Sequence, residues 1–160
     1  KEEFEFLKNK IPLEFKNKNL IDLGCGDGIN TIRIKDIFSP ISIKGYDRVN
    51  SLIKSAQEKG IESYCLDLEK SEIKGELGIL WGALHHLKSP ELFLSNLKNN
   101  FQYLFIRENV SDRFFELGKI ITYHKLISLC KKYFDKIEIV EYKNKKTHSI
   151  FVFITNEIKS

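Results

Sequence analysis

A short apolar run, Asn19-Leu20-Ile21-Asp22-Leu23, breaks off into Gly24-Cys25-Gly26-Asp27-Gly28, and Ile29, Ile32, Ile34 and Ile37 follow at helical spacing. A run this short and apolar is a strand buried on both faces, and such a strand needs helices above and below it. Glycine-rich chain between it and the helix lets the backbone turn sharply. One strand–turn–helix unit of this kind commits the chain to a layered α/β arrangement.

The rest of the chain repeats the alternation. Strands are expected at 19–23, 41–46, 62–66, 77–82 and 101–107. Helices are expected at 2–10, ending before Pro12, and at 29–37, 50–59, 90–98 and 122–133. Gly60 stops the third helix, Ser89-Pro90 starts the fourth with Ser89 as cap, and Thr122 caps the fifth. Two β-rich runs, 136–142 and 149–155, flank the polar stretch KNKKTH and read as an antiparallel hairpin. No repeat or linker interrupts the pattern, so residues 1–160 are expected to form one domain. The fold expected is α/β: a mostly parallel seven-stranded sheet with helices on both faces and a C-terminal antiparallel hairpin. Ligands of such sheets bind beyond the carboxyl ends of the strands.

Composition narrows the setting. Hydrophobic residues at 42% and charged residues at 30% are the balance of a folded globular chain. No apolar run approaches the roughly 20 residues that span a bilayer, and no leader pattern is visible, so a cytoplasmic protein without membrane attachment is expected. The sequence starts at Lys1 rather than Met, so a preceding segment is open. The three cysteines, Cys25, Cys65 and Cys130, form no metal-binding spacing and suit a reducing compartment. The net charge of +4 is spread over many lysines, short of the clustered basic face of a nucleic-acid binder. Nucleic acid is therefore a partner left open but not indicated.

The glycine loop suits an anionic or polar ligand at a helix N-terminus. The dinucleotide fingerprint requires a glycine at the sixth position from Gly24, where Ile29 stands. The phosphate loop of nucleotide hydrolases requires a Gly-Lys-Ser/Thr ending, which is absent. What remains is Gly-x-Gly-x-Gly with an acid two residues ahead.

LIDLGCGDG resembles the first motif of the class I S-adenosylmethionine (SAM)-dependent methyltransferases, and the order and spacing of elements resemble that Rossmann-like family over residues 18–155. The resemblance implies that Asp22, Gly24, Gly26 and Gly28 hold the methionine part of SAM, with Cys25 a packing residue within the loop. It implies that Asp47 accepts the ribose hydroxyls, that Arg48 flanks the adenine unless it is simply exposed, and that Asp67 and Leu68 meet the adenine edge, with a turn or capping role the alternative for Asp67. Trp81 and Gly82 are expected near the sulfonium, although Trp81 is equally placed to enter the core. The exit of the fourth strand, ALHHL, is also similar to the family. An imidazole suits proton removal near neutral pH, so His85 or His86 is a candidate base. The competing reading is that one caps the next helix and the other packs.

The chain departs from the family at LKNNFQYLF, which lacks the usual glycine turn, and at Gly78, where many members have Asp. It also lacks the Asn-Pro-Pro-Tyr signature of amino methyltransferases at 82–85. Arg107, Glu108, Asn109, Arg113 and Tyr123 are candidates for the acceptor pocket, with ordinary loop solvation the competing reading for each of them. The short segment 110–121 covers the site thinly, which suggests a large acceptor, a partner protein completing the site, or missing N-terminal residues. The function expected is methyl transfer from SAM, leaving S-adenosylhomocysteine (SAH), to an unidentified acceptor, with a small molecule favoured. The alternatives are a non-catalytic cofactor-binding or partner subunit, and an RNA or protein methyltransferase.

Overall fold

The structure, a computed structural model, describes residues 2–110 and 121–157. The elements run α1 (Glu2–Lys8), β1 (Asn19–Leu23), α2 (Ile29–Phe38), β2 (Ser42–Asp47), α3 (Asn50–Glu58) and β3 (Ser63–Cys65). They continue with β4 (Gly75–Trp81), α4 (Pro90–Leu97), β5 (Phe101–Asn109), α5 (Tyr123–Tyr133), β6 (Lys136–Lys143) and β7 (His148–Thr155). The strands form one seven-stranded sheet in the order β3-β2-β1-β4-β5-β7-β6. β1 to β5 run parallel to one another, whereas β7 runs antiparallel to both β5 and β6. The expected mostly parallel sheet with a terminal hairpin is therefore the architecture found.

Alternation along the inner strands sorts side chains to two cores. Leu77, Ile79 and Trp81 of β4, Phe105 of β5, and Phe151 and Phe153 of β7 share one core with α1 and α2. Leu80, Leu104, Ile106, Ile150, Val152 and Ile154 share the other with α4 and α5. Both faces of β4, β5 and β7 are thus apolar, which is why these strands read as near-continuous hydrophobic runs. Phe101 explains one departure from the family. Its ring and Leu104 lie so close to Gly78 that a Cβ there would come within 2.8 Å of Leu104 Cδ2 and 3.0 Å of Phe101 Cδ1. A side chain in that position would have to displace Leu104 and Phe101.

The helix ends differ in one respect from expectation. Thr122 Oγ1 accepts the Lys125 N–H at 3.3 Å, as a capping residue does. The Ser89 side chain makes no capping hydrogen bond. Instead the Ser89 and Lys88 N–H groups donate to the Glu69 carboxylate at 2.8 and 3.1 Å. A carboxylate from the loop after β3 thus ties down the approach to α4. No helix among the described residues is long and apolar enough to cross a membrane.

Candidate functional site

α2, which follows β1, packs in one core, whereas α4, which follows β4, packs in the other. β1 and β4 are adjacent, so their connections depart to opposite faces and open a crevice beyond their carboxyl ends. A groove of about 340 Å³ occupies that crevice. Gly24, Gly26, Gly82 and Ala83 line it from β1 and β4, and Asp47 and Asp67 line it from the ends of β2 and β3. Val49, Leu52, Leu68 and Leu87 supply apolar walls. Two other hollows, of about 540 and 630 Å³, lie beside the β3–β4 connection and between α1 and α2, away from the glycine loop.

The glycines of the loop have separate tasks. Gly24, at φ +93°, brings its backbone against the β4 exit, where a Cβ would come within 2.6 Å of the Ala83 Cβ. Its N–H donates to the Tyr46 carbonyl at 2.8 Å, extending the register of β1 and β2 into the loop. Gly26, at φ +55°, has open space where a side chain would point, and its N–H donates to Asp47 Oδ2 at 3.1 Å. Gly28 and Cys25 face away from the groove. Gly28 seats the start of α2 on α3, where a Cβ would come within 3.2 Å of the Ala56 Cα. The Cys25 thiol fills the space above Gly45, and burial pushes it up to about 12, so it stays a protonated packing group.

Asp22 lies beneath the loop and is 1% exposed. Its Oδ2 accepts the Thr31 hydroxyl at 2.6 Å, while Oδ1 is buried with no partner among the described residues. Burial pushes this carboxyl from 3.8 up to about 7; the Thr31 hydrogen bond works against that rise and the Asp47 charge adds to it. An orphaned buried oxygen under a glycine loop is what a ligand carrying a donor or a positive charge would satisfy.

Asp47 is half-buried at the groove, with Oδ1 accepting the Val49 N–H at 2.9 Å and Oδ2 accepting from Gly26. Each oxygen keeps a second acceptor site. Arg48 is exposed beside it. Asp67 Oδ1 accepts the Glu69 N–H at 3.1 Å, which fixes the turn that carries Leu68. Glu69 also lines the groove, a position that sequence reasoning missed. A glutamate followed by a lysine reads as a solvated surface residue, and its partners lie about twenty residues on.

Trp81 is corrected. It follows Ile79 by two positions, so it shares that residue's face and turns away from the groove. There its ring stacks on Phe4 at 4.3 Å between centroids, and the Arg107 guanidinium lies 5.5 Å from its centroid. Arg107 is also corrected from the acceptor side. Its fork donates to Glu3 at 2.7 and 3.0 Å, and Nη2 donates to Ser149 Oγ at 3.0 Å. Gly82, which does line the groove, turns the chain at φ +64°.

The two histidines part company. His86 is exposed and lines the groove next to Leu87. His85 is held behind Gly82, its Cε1 4.0 Å from where a Gly82 Cβ would stand. Its Nδ1 is 2.7 Å from Glu108 Oε2, and Glu108 Oε1 accepts the Leu84 N–H at 2.8 Å. Glu108 is therefore fully buried inside the protein, not an acceptor-pocket residue. A signal for it was present: Glu108 continues the Leu104–Ile106 alternation and so stands on a core-facing position. Asn109 and Tyr123 are half-buried at the end of β5 and the start of α5, and Arg113 lies outside the described residues. No group of three His, Cys, Asp or Glu side chains set to hold a metal occurs among the described residues.

No protein-family model and no curated protein matches this chain. Solved structures do. Magnesium protoporphyrin IX methyltransferase from Synechocystis PCC 6803, with bound SAM, superposes with a TM-score of 0.73 at 15% identity over 98% of this chain and 77% of its own. A SAM-dependent methyltransferase from Aquifex aeolicus gives 0.73 at 14% identity, over 95% and 89% of the two chains. The [4+2]-cyclase SpnF gives 0.76 at 12% identity, over 96% and 81%. The chain thus has the fold of the class I SAM-dependent methyltransferases, and a cyclase is among the proteins sharing it.

Proposed function

We propose that the groove binds SAM and that the protein transfers its methyl group to an acceptor, a small molecule being favoured. The observation that carries this reading is the pairing of Gly26 with Asp47: an open loop glycine whose N–H holds a strand-end carboxylate at the groove. Asp47 is then the acceptor for two ribose hydroxyls, each such charge-assisted bond contributing about 1.5–3 kcal/mol. Asp67 and the Leu68 N–H meet the adenine edge, and Val49, Leu52 and Leu87 exclude water from its faces. The orphaned Asp22 oxygen under the loop supports a cationic ligand group nearby.

When bound, SAM supplies an electrophilic methyl group on a positively charged sulfur. The protein's work is to hold the acceptor in line with it, and positioning alone removes a large part of such a barrier. A histidine at the β4 exit takes a proton where the acceptor atom must lose one. A partner protein completing the site remains part of this proposal. So does the alternative of a non-methylating role, which the cyclase with the same fold supports, because a fold does not fix chemistry.

The test is calorimetric titration of the protein with SAM, SAH and NAD. Micromolar binding of the first two without NAD is expected. Binding of none would withdraw the enzyme reading.

A further inference from the structure

Two walls of the groove come from different connections of the sheet. Asp67 and Leu68, just past β3, belong to one; Gly82, Ala83 and Leu87, past β4, belong to the other. The sheet does not pair the strands that carry them, because β2 and β1 lie between β3 and β4. On the β4 side the chain makes a tight turn at Leu84–His86 and enters α4 at Pro90. The turn uses the Leu87 N–H, which donates to the Leu84 carbonyl at 3.2 Å. The next two N–H groups belong to neither turn nor helix. Both donate to the Glu69 carboxylate, Ser89 to Oε1 at 2.8 Å and Lys88 to Oε2 at 3.1 Å.

Glu69 is itself fixed on the β3 side. Its N–H donates to Asp67 Oδ1 at 3.1 Å, and the Lys70 N–H donates to the Asp67 carbonyl at 3.1 Å, which closes a turn. One carboxylate thus shapes the turn from which a second reaches across. The residues just before the two ends of this link, Leu68 and Leu87, are both apolar wall residues of the groove. Bonds to a charged acceptor are stronger than those between neutral groups, and negative charge is favoured at the start of a helix. We propose that Glu69 is a positioning residue that sets the spacing between the Leu68 and Leu87 walls and so holds the groove ready for its ligand. The identity of that ligand rests on the SAM reading given above. Walls ordered in advance bind more tightly, because their ordering is not charged against the ligand.

Two consequences separate this role from a merely structural one. Glu69 acts through Leu87, so its effect on binding disappears when the Leu87 side chain is removed. Its effect also follows the acceptor capacity of the side chain: a glutamine keeps one acceptor oxygen, and an alanine keeps none. The test is calorimetric titration with SAH of the full chain, of Glu69→Ala, Glu69→Gln and Leu87→Ala, and of the Glu69→Ala/Leu87→Ala pair. Amide hydrogen exchange at Lys88 and Ser89 reports the link in each. Glu69→Ala should weaken SAH binding about tenfold and speed exchange at both amides, with Glu69→Gln between it and the wild type. In the Leu87→Ala background the same change should cost less than about twofold. Unchanged affinity in Glu69→Ala with both amides freed would overturn the proposal. So would a full loss recurring in the Leu87→Ala background, since Glu69 would then act on its own. Either result, with SAH bound by the wild type, removes this proposal alone and leaves the SAM reading standing. A wild type that binds neither SAH nor SAM removes both.

Discussion

Asp22 should make this protein less stable as the pH rises through the neutral range, against the trend set by its surface carboxylates. In the folded chain its carboxyl is pushed from 3.8 up to about 7 by burial. In the unfolded chain it ionises near its ordinary value. Between the two the folded state holds a proton that the unfolded state has released, so the sign is fixed: stability falls with rising pH. The gap of about three pH units, at ~1.36 kcal/mol each, amounts to roughly 4 kcal/mol lost between about pH 4 and pH 7. Glu62, Glu76 and Glu91 act the other way, because hydrogen bonds and nearby lysines lower their values. The contribution of Asp22 is therefore isolated by difference. Urea unfolding of the wild type and Asp22→Asn at half-unit steps from pH 4 to 8 should give curves that diverge by about 3–4 kcal/mol, with the variant gaining as pH rises. Parallel curves would show that Asp22 is ionised in the folded protein, and the argument from its buried, unpartnered oxygen would be lost.

Three further outcomes follow from the geometry. Asp47→Ala should weaken SAM binding at least tenfold by calorimetry, and unchanged affinity would remove the ribose assignment. Gly78→Ala should cost about 1–3 kcal/mol in urea unfolding, because its methyl group meets Phe101 and Leu104; a neutral result would mean that the Phe101 ring has room to move. Trp81→Phe should leave SAM affinity within twofold of the wild type, since the ring faces Phe4; a tenfold loss would return the tryptophan to the site.

The elements legible in the sequence were those whose signals are local. β1 begins and ends where the apolar run does, and α2 starts at the residue after Gly28. The strand-end acids Asp47 and Asp67 stand at the groove because a parallel sheet gathers all its carboxyl ends on one side. Trp81 could not be oriented from sequence. A strand buried on both faces carries no polar side to mark which residues look toward the ligand. Ser89 looked like a cap, but Glu69 reaches the adjoining backbone from another loop. The reason for glycine at position 78 is likewise distant in sequence, since Phe101 and Leu104 occupy the space beside it. Each of these features depends on a neighbour brought in by the fold, and spacing along the chain does not encode that neighbour.

α1 packs on α2, but its polar ties reach the far end of the chain. Glu3 is held by Arg107, 104 positions on, and Glu2 accepts the Tyr142 hydroxyl, 140 positions on. During synthesis the helix leaves the ribosome long before either partner exists, and Phe4 and Leu7 have only α2 to dock on until Trp81 and β7 follow. Seven residues are too few for a lasting helix in water. α1 is thus expected to dock last, after the β6–β7 hairpin has closed the sheet, and a nascent chain stalled before Arg107 should leave α1 open to protease.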